Sequence, residues 1–410
     1  MNLYNTMTLS NGLRVIHQSS DSNVVYCGYE LNVGTRNEEP GYEGMAHFCE
    51  HVSFKGTKRR KSWHISNALE SVGGDLNAYT NKEDTVYYAA VLKEHTARAI
   101  DLLTDIVFYS TYPQAEIDKE VEVICDEIES YNDSPAELIY DEFENLLFAN
   151  HALGHNILGT AERVRSFKTA DAQRFTQRYY RPENSIFFLY GDVDFKRVVR
   201  LLERATSDFA PSKPIIEPAL NQPLPLNMPD FIEKNHGTHQ AHVMVGTRGY
   251  DIHDKRRMSL YLLNNLLGGP GMNARLNLSL RERHGLVYTV ESSMVSYCDT
   301  GVWAIYFGCD PKDVGRCLKL VRKELDRVIQ KPLSDTQLRA VKKQIKGQIG
   351  VACDNRESFA LDFGKSYLHY GWERDLNSLF RHIDEVTAES MQQVAAELMQ
   401  QERLTTLVID

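Results

Sequence analysis

The sequence predicts an α+β protein of two homologous domains, each a mostly antiparallel sheet packed with helices. Three observations carry this. Strand-like and helix-like segments alternate along the 410 residues without the glycine fingerprint of a nucleotide-binding parallel sheet. The tetrapeptide Val33-Gly34-Thr35-Arg36 recurs as Val245-Gly246-Thr247-Arg248, 212 positions later, each copy closing an alternating apolar strand ahead of a helix. Between the copies, Ala210 to Asp230 holds six of the chain's 13 prolines (Pro211, Pro214, Pro218, Pro223, Pro225 and Pro229), which forbids helix and reads as an extended linker. The expected division is a domain at 1–210, a linker at 211–229 and a second domain at 230–410.

The elements follow in order. Pro40 and Gly41 punctuate the chain before a segment in which Met45, Phe48 and Val52 recur at helical spacing, as in a buried helix opening after a loop. Gly73-Gly74 turns into a short strand, Asp75 to Thr80. Asp84-Thr85-Val86 opens a strand followed by a helix over Glu94 to Val107. At nearly the same offset, Asp299-Thr300-Gly301-Val302 opens a strand followed by a helix over Asp313 to Ile329. The apolar strand Ile186 to Tyr190 is ended by Gly191-Asp192.

Composition narrows the class. With 42% hydrophobic and 25% charged residues the chain reads as an ordinary soluble globular protein, long enough for two sizeable cores. The amino terminus has neither a basic n-region nor an apolar h-region, and no run of 18 apolar residues occurs, so the expectation is a cytoplasmic chain with no membrane partner. Seven scattered cysteines without C-x-x-C spacing suit a reducing compartment. A net charge of −10 argues against nucleic acid as a partner. The basic run Lys58-Arg59-Arg60-Lys61 is the local exception and reads as a solvated loop.

The chemistry concentrates in His47-Phe48-Cys49-Glu50-His51, an H-x-x-E-H motif that inverts the zinc-peptidase order H-E-x-x-H. Histidines at i and i+4 stand one above the other on a helix, so both imidazoles reach one Zn²⁺ while Glu50 holds the attacking water. Cys49, about 200° around the helix from His47, should point away. A catalytic zinc takes a third protein ligand, for which the acids of Glu120 to Glu127 are candidates; Glu120 and Glu127, seven residues apart, share one helix face, with Val123 and Ile124 on a flank that can pack. Read alone, these acids are a solvated helix face. The 212-residue offset maps His47, Glu50 and His51 onto Ser259, Leu262 and Leu263, so the second domain has no zinc site.

The run Gly44 to Thr57 closely resembles the pitrilysin/insulinase family of zinc peptidases, to which mitochondrial processing peptidase belongs. The resemblance implies that Glu127, 76 residues after His51, is the third zinc ligand and that Glu120 supports the site. It extends to Gly73 to Thr80, which resembles the family's edge strand and places Asn77 and Ala78 against an extended substrate peptide; read alone, this is a turn into a sheet. It covers His155 to Thr160 and Tyr179 to Asn184 as well. In the second domain Arg281 and Tyr288, seven apart, resemble the family's arginine and tyrosine that hold the substrate and polarise the scissile carbonyl; read alone, they are a salt-bridging residue and a half-buried ring. The glycine-rich Gly268 to Gly271 lacks the phosphate-loop pattern and reads as a turn.

What the resemblance implies is an endopeptidase in which His47, His51 and Glu127 bind Zn²⁺ and Glu50 is the general base, with Arg281 and Tyr288 stabilising the oxyanion. It also implies half of a clamshell chamber that admits unstructured peptides. Because this chain carries both the zinc motif and the Arg/Tyr element, the expected assembly is a homodimer with Arg281 and Tyr288 supplied by the opposite subunit. The alternatives are a heterodimer with a related subunit and a non-catalytic scaffold or partner subunit.

Overall fold

The computed structural model describes residues 4–215, 223–224, 228–371 and 375–410. The chain divides into two compact units, one of Met1–Glu129, His155–Gln222 and Ala352–Arg374, the other of Ser130–Gly154, Pro223–Val351 and Asp375–Asp410. Neither is continuous, a departure from the expected 1–210 and 230–410. Residues 216–222 and 225–227 of the proline-rich stretch, with Pro218 and Pro225, lie outside the described residues.

The first unit is built on a six-stranded sheet. Its strands are β1 (Tyr4–Thr8), β2 (Arg14–Gln18), β3 (Val24–Leu31), β4 (Asp75–Thr80), β5 (Thr85–Leu92) and β6 (Ser185–Tyr190), in the order β1-β2-β6-β3-β5-β4. Only the β2–β6 pair is parallel. Side chains alternate across the pleat. One face, with Val15, Cys27, Tyr29, Tyr87 and Phe187, packs against α1 (Met45–Ser53), α2 (Ser62–Glu70), α3 (Thr96–Phe108) and α4 (Gln114–Asn132) in the main core. The other, with Ile16, Val86, Ile186 and Phe188, is covered by Phe359, Ala360 and Phe363 of the helix Arg356–Tyr370. Strand β4 lies at the sheet edge and, among the described residues, pairs only with β5, Asn77 opposite Tyr88 and Ala78 opposite Tyr87.

The second unit repeats the plan with one strand fewer. Strands β7 (Phe231–Lys234), β8 (Ala241–Gly249), β9 (Val287–Ser296), β10 (Gly301–Cys309) and β11 (Thr405–Ile409) run β7-β11-β8-β10-β9, which matches β2-β6-β3-β5-β4, including one parallel pair at the same place. Helix α5 (Pro135–Leu147) lays Ile139, Phe143 and Leu147 on this sheet, against Met244, Tyr306 and Leu407. These two helices explain the discontinuous units. Each has an apolar face, and the sequence order of a helix does not say which sheet that face will cover.

The internal repeat is therefore present in the topology, but the shared tetrapeptide does not mark its register. Val33–Arg36 lies beyond the end of β3 and enters the short turn Thr35–Asn37, whereas Val245–Arg248 sits inside β8. Four identical residues take different conformations because their sheet neighbours differ. The helix frame does keep the offset of 212: α1 packs on β4, the helix Arg257–Gly268 packs on β9, and Ser259, Leu262 and Leu263 are buried in it.

Candidate metal centre

Helix α1 is buried almost all round; Met45, Ala46, Phe48, Cys49 and Val52 join the core, and His47 and Glu50 are buried beside them. Cys49 points away from the histidines, its Sγ 3.7 Å from Met45 Sδ and 4.0 Å from the Ala172 carbonyl oxygen. The i, i+4 spacing stacks the imidazoles edge to face, ring centroids 4.6 Å apart.

Glu127, from α4, meets this pair. Its Oε2 is 3.2 Å from His51 Nε2 and its Oε1 is 3.8 Å from His47 Nε2. One ligand atom from each of the three residues falls within a 4.8 Å cluster. Tetrahedral bonds of about 2.0–2.1 Å put ligand atoms about 3.3 Å apart, so these donors suit one zinc ion. Two turns back along α4, Glu120 Oε1 lies 3.1 Å from His51 Nδ1 and its Oε2 lies 2.6 Å from Lys55 Nζ. Carboxylate contact at Nδ1 leaves Nε2 of His51 facing Glu127, the usual arrangement behind a metal-ligating histidine. Of the flank expected to pack between the two acids, Ile124 is buried but Val123 is 52% exposed, because it turns outward on the helix.

The electrostatics follow from burial and these carboxylates. Burial, reinforced by His51, lowers His47 to about 4. For His51, burial works the other way from its partners, and Glu120 and Glu127 outweigh it, raising the ring to about 9. The His51 contact lowers Glu127. Glu50 is raised by burial, partly offset by Thr80, whose Oγ1 donates to Glu50 Oε2 at 2.5 Å. Thr80 ends β4, so the edge strand itself orients this carboxylate.

Arg281 and Tyr288 belong to the second unit. Arg281 lies in the π-helical turn Asn277–Glu282 of the second unit, and its guanidinium carbon stands 5.7 Å from the centre of the Tyr288 ring at the start of β9. Tyr288 is 81% exposed, whereas the sequence read without the resemblance makes it a half-buried ring. The basic run is absorbed by ion pairs: Arg59 and Arg60 each reach both Asp101 and the buried Asp105, which also accepts from Thr57. Sequence reasoning missed Thr80 and Lys55. Lys55 carried a faint signal, four residues past His51; Thr80 carried none.

Comparison with known proteins identifies the family. Residues 14–161 match the family model described as Insulinase (Peptidase family M16), and residues 166–345 match the Peptidase M16 inactive domain. An uncharacterized zinc protease of Streptomyces coelicolor is 33% identical over 401 residues, covering 96% of this chain and 86% of its own. The chain belongs to the M16 peptidase family. Another uncharacterized zinc protease, from Bacillus subtilis, is 30% identical over 406 residues, 98% of this M16 chain and 97% of the relative. The mitochondrial-processing peptidase subunit beta of Bos taurus is 31% identical over 398 residues, 94% and 80% of the two chains. The fold is that of a Helicobacter pylori protease, with a TM-score of 0.90 at 22% identity over 99% of each chain. A Pseudomonas fluorescens structure described as a peptidase M16 inactive domain gives 0.89 at 17% identity over 100% and 98%. Among the described residues, no helix is long and apolar enough to cross a membrane.

Proposed function

We propose that this M16 chain is a zinc-dependent endopeptidase acting on unstructured peptides. The observation that carries the reading is the convergence of His47, His51 and Glu127 beside a buried Glu50 held by Thr80. His47, His51 and Glu127 would hold the ion, which when bound supplies Lewis-acid activation of water and of the scissile carbonyl. Glu50 takes a proton from the attacking water and returns it to the leaving amine. An extended peptide adds to the free edge of β4 along Asn77 and Ala78, which favours unfolded substrates. Arg281 and Tyr288 hold the carbonyl as charge develops on its oxygen.

The proposed assembly is a homodimer in which each chain is half of a clamshell chamber and lends Arg281 and Tyr288 to its partner. The relative named as a subunit favours keeping a heterodimer, or a non-catalytic partner subunit, as the second reading. The test is metal analysis with mass-spectrometric cleavage mapping of a peptide mixture, with and without chelator. Glu50→Gln is expected to keep zinc and lose hydrolysis, and His51→Ala to lose both; full activity in zinc-replete Glu50→Gln would refute the base assignment. Mixing inactive Glu50→Gln with inactive Tyr288→Phe should restore activity if the pair acts across a dimer, and a monomer fully active at high dilution would exclude that. A single dominant cleavage context would point to presequence processing, and many contexts to general peptide clearance.

A further inference from the structure

The segment His155 to Thr160 has no part in the chemistry above, yet it presses on the start of the motif helix. Gly44 precedes α1 in the left-handed region, φ 95°, and a Cβ there would lie 2.8 Å from the Leu158 carbonyl oxygen. Gly159, φ 69°, faces it: a Cβ on this residue would lie 2.3 Å from the Glu43 carbonyl oxygen. Two backbones therefore cross in contact at the mouth of α1, which glycine alone permits.

Beside this crossing sits Glu38, its side chain 1% exposed. Oε1 accepts the Ala46 backbone N–H at 2.7 Å, and Oε2 accepts the Gly44 N–H at 2.9 Å. Nε2 of His155 donates to the same Oε2 at 2.8 Å. His155 is itself held at its carbonyl oxygen by Lys82 Nζ. Helix α1 has no side-chain cap on its N-cap residue, so Glu38 supplies from six residues upstream both the hydrogen-bond acceptor and the negative charge that a helix N-terminus favours.

We infer that Glu38 and His155 are positioning residues that brace the N-terminus of the metal-binding helix and so set His47, Glu50 and His51 against Glu127. The inference rests on the reading of His47, His51 and Glu127 as a zinc site. Its geometry is simple. Ala46, bonded by Glu38, is the residue before His47. All three motif side chains ride on one nine-residue helix, whereas Glu127 rides on another. A tilt at the N-terminus of α1 moves the first three together and leaves the fourth behind.

The test uses the full chain with Co²⁺ as a spectroscopic probe. Glu38→Ala, Glu38→Gln and His155→Ala are compared with Asn11→Ala, which removes the buried hydrogen bonds from Asn11 to Thr206 at the β1–β2 turn. Glu38→Ala is expected to weaken Co²⁺ binding about tenfold or more, to reduce the tetrahedral d–d absorption, and to lower kcat with KM within about twofold. Glu38→Gln, which keeps an acceptor for one helix N–H, should fall between it and wild type. His155→Ala should shift the same readouts less, and it carries the test if Glu38→Ala does not fold. Asn11→Ala should lower Tm and leave the Co²⁺ spectrum and affinity unchanged. Wild-type Co²⁺ affinity and spectrum in Glu38→Ala and His155→Ala would overturn the brace, as would an equal loss in Asn11→Ala. Undiminished Co²⁺ binding in His51→Ala would instead overturn the zinc reading, and the brace with it.

Discussion

Nδ1 of His51 lies 3.1 Å from Oε1 of Glu120, and the other oxygen of that carboxylate lies 2.6 Å from Lys55. One acid on α4 thus orients a proposed ligand from α1, while Glu127, two turns further along the same helix face, meets the same ring at Nε2.

Glu120→Gln keeps the side chain's shape and removes its charge. Zinc affinity is expected to fall about 10- to 100-fold, as for other residues that orient a metal-bound histidine. Competition against a chelator measures it, and an unchanged affinity would reduce Glu120 to a partner of Lys55.

Thr80→Val removes the hydrogen bond from Thr80 to Glu50 Oε2 while keeping the side chain's bulk. Burial already raises Glu50 and Thr80 lowers it, so the substitution should raise it further. The acid limb of kcat/KM against pH should then move to higher pH. A profile that superimposes on wild type would show that Thr80 does not tune the base.

Metal binding should depend on pH through His51. In the metal-free protein Glu120 and Glu127 raise this ring to about 9, so at pH 7 the ion must displace its proton; His47, lowered to about 4, is already free. Apparent affinity should rise about tenfold per pH unit between about 7 and 9 and then level off. The sign for stability is opposite: a raised folded-state value stabilises the metal-free protein below about pH 6.5, and this is lost as pH rises through about 9. Chelator competition and calorimetry across buffers of different ionisation enthalpy read the proton release; a flat pH dependence would contradict it.

Asp84 ties the helix Arg356–Tyr370 to the first sheet. The buried carboxylate lies 3.0 Å from Lys365 Nζ and 3.1 Å from His369 Nε2, and accepts from Asn81 at 2.7 Å. Burial alone would raise it, but Lys365 and His369 outweigh burial and hold it well below the usual carboxylate range. Its contribution is therefore complete above about pH 4 and is lost as pH falls further. Asp84→Asn should cost about 2–3 kcal/mol at pH 7, somewhat under the range for a fully buried pair because Lys365 is half exposed. Denaturant unfolding checks this, and the difference from wild type should shrink in acid.

Much of the site was legible because it is local. Met45, Phe48 and Val52 define a helix, and any helix brings residues four apart together, so His47 and His51 could be paired from spacing alone. The same rule put Glu120 and Glu127 on one face. Spacing could not say that this face would meet the histidines; the choice of Glu127 came through resemblance. Thr80 was beyond reach, because it stands 30 residues from Glu50 and meets it only through the placement of β4 beside α1.

By itself the sequence determined the duplicated α+β plan, the helix that bears the motif, and the chemistry of its side chains, since these depend on periodicity and spacing along a few turns. Only the tertiary structure decided which sheet α5 and the helix Arg356–Tyr370 would cover, that the repeated tetrapeptide would serve as a loop in one unit and a strand in the other, and that Glu38 and Thr80 would stand beside the motif. Those outcomes depend on how distant apolar faces find partners and bury, a long-range choice that no local pattern encodes.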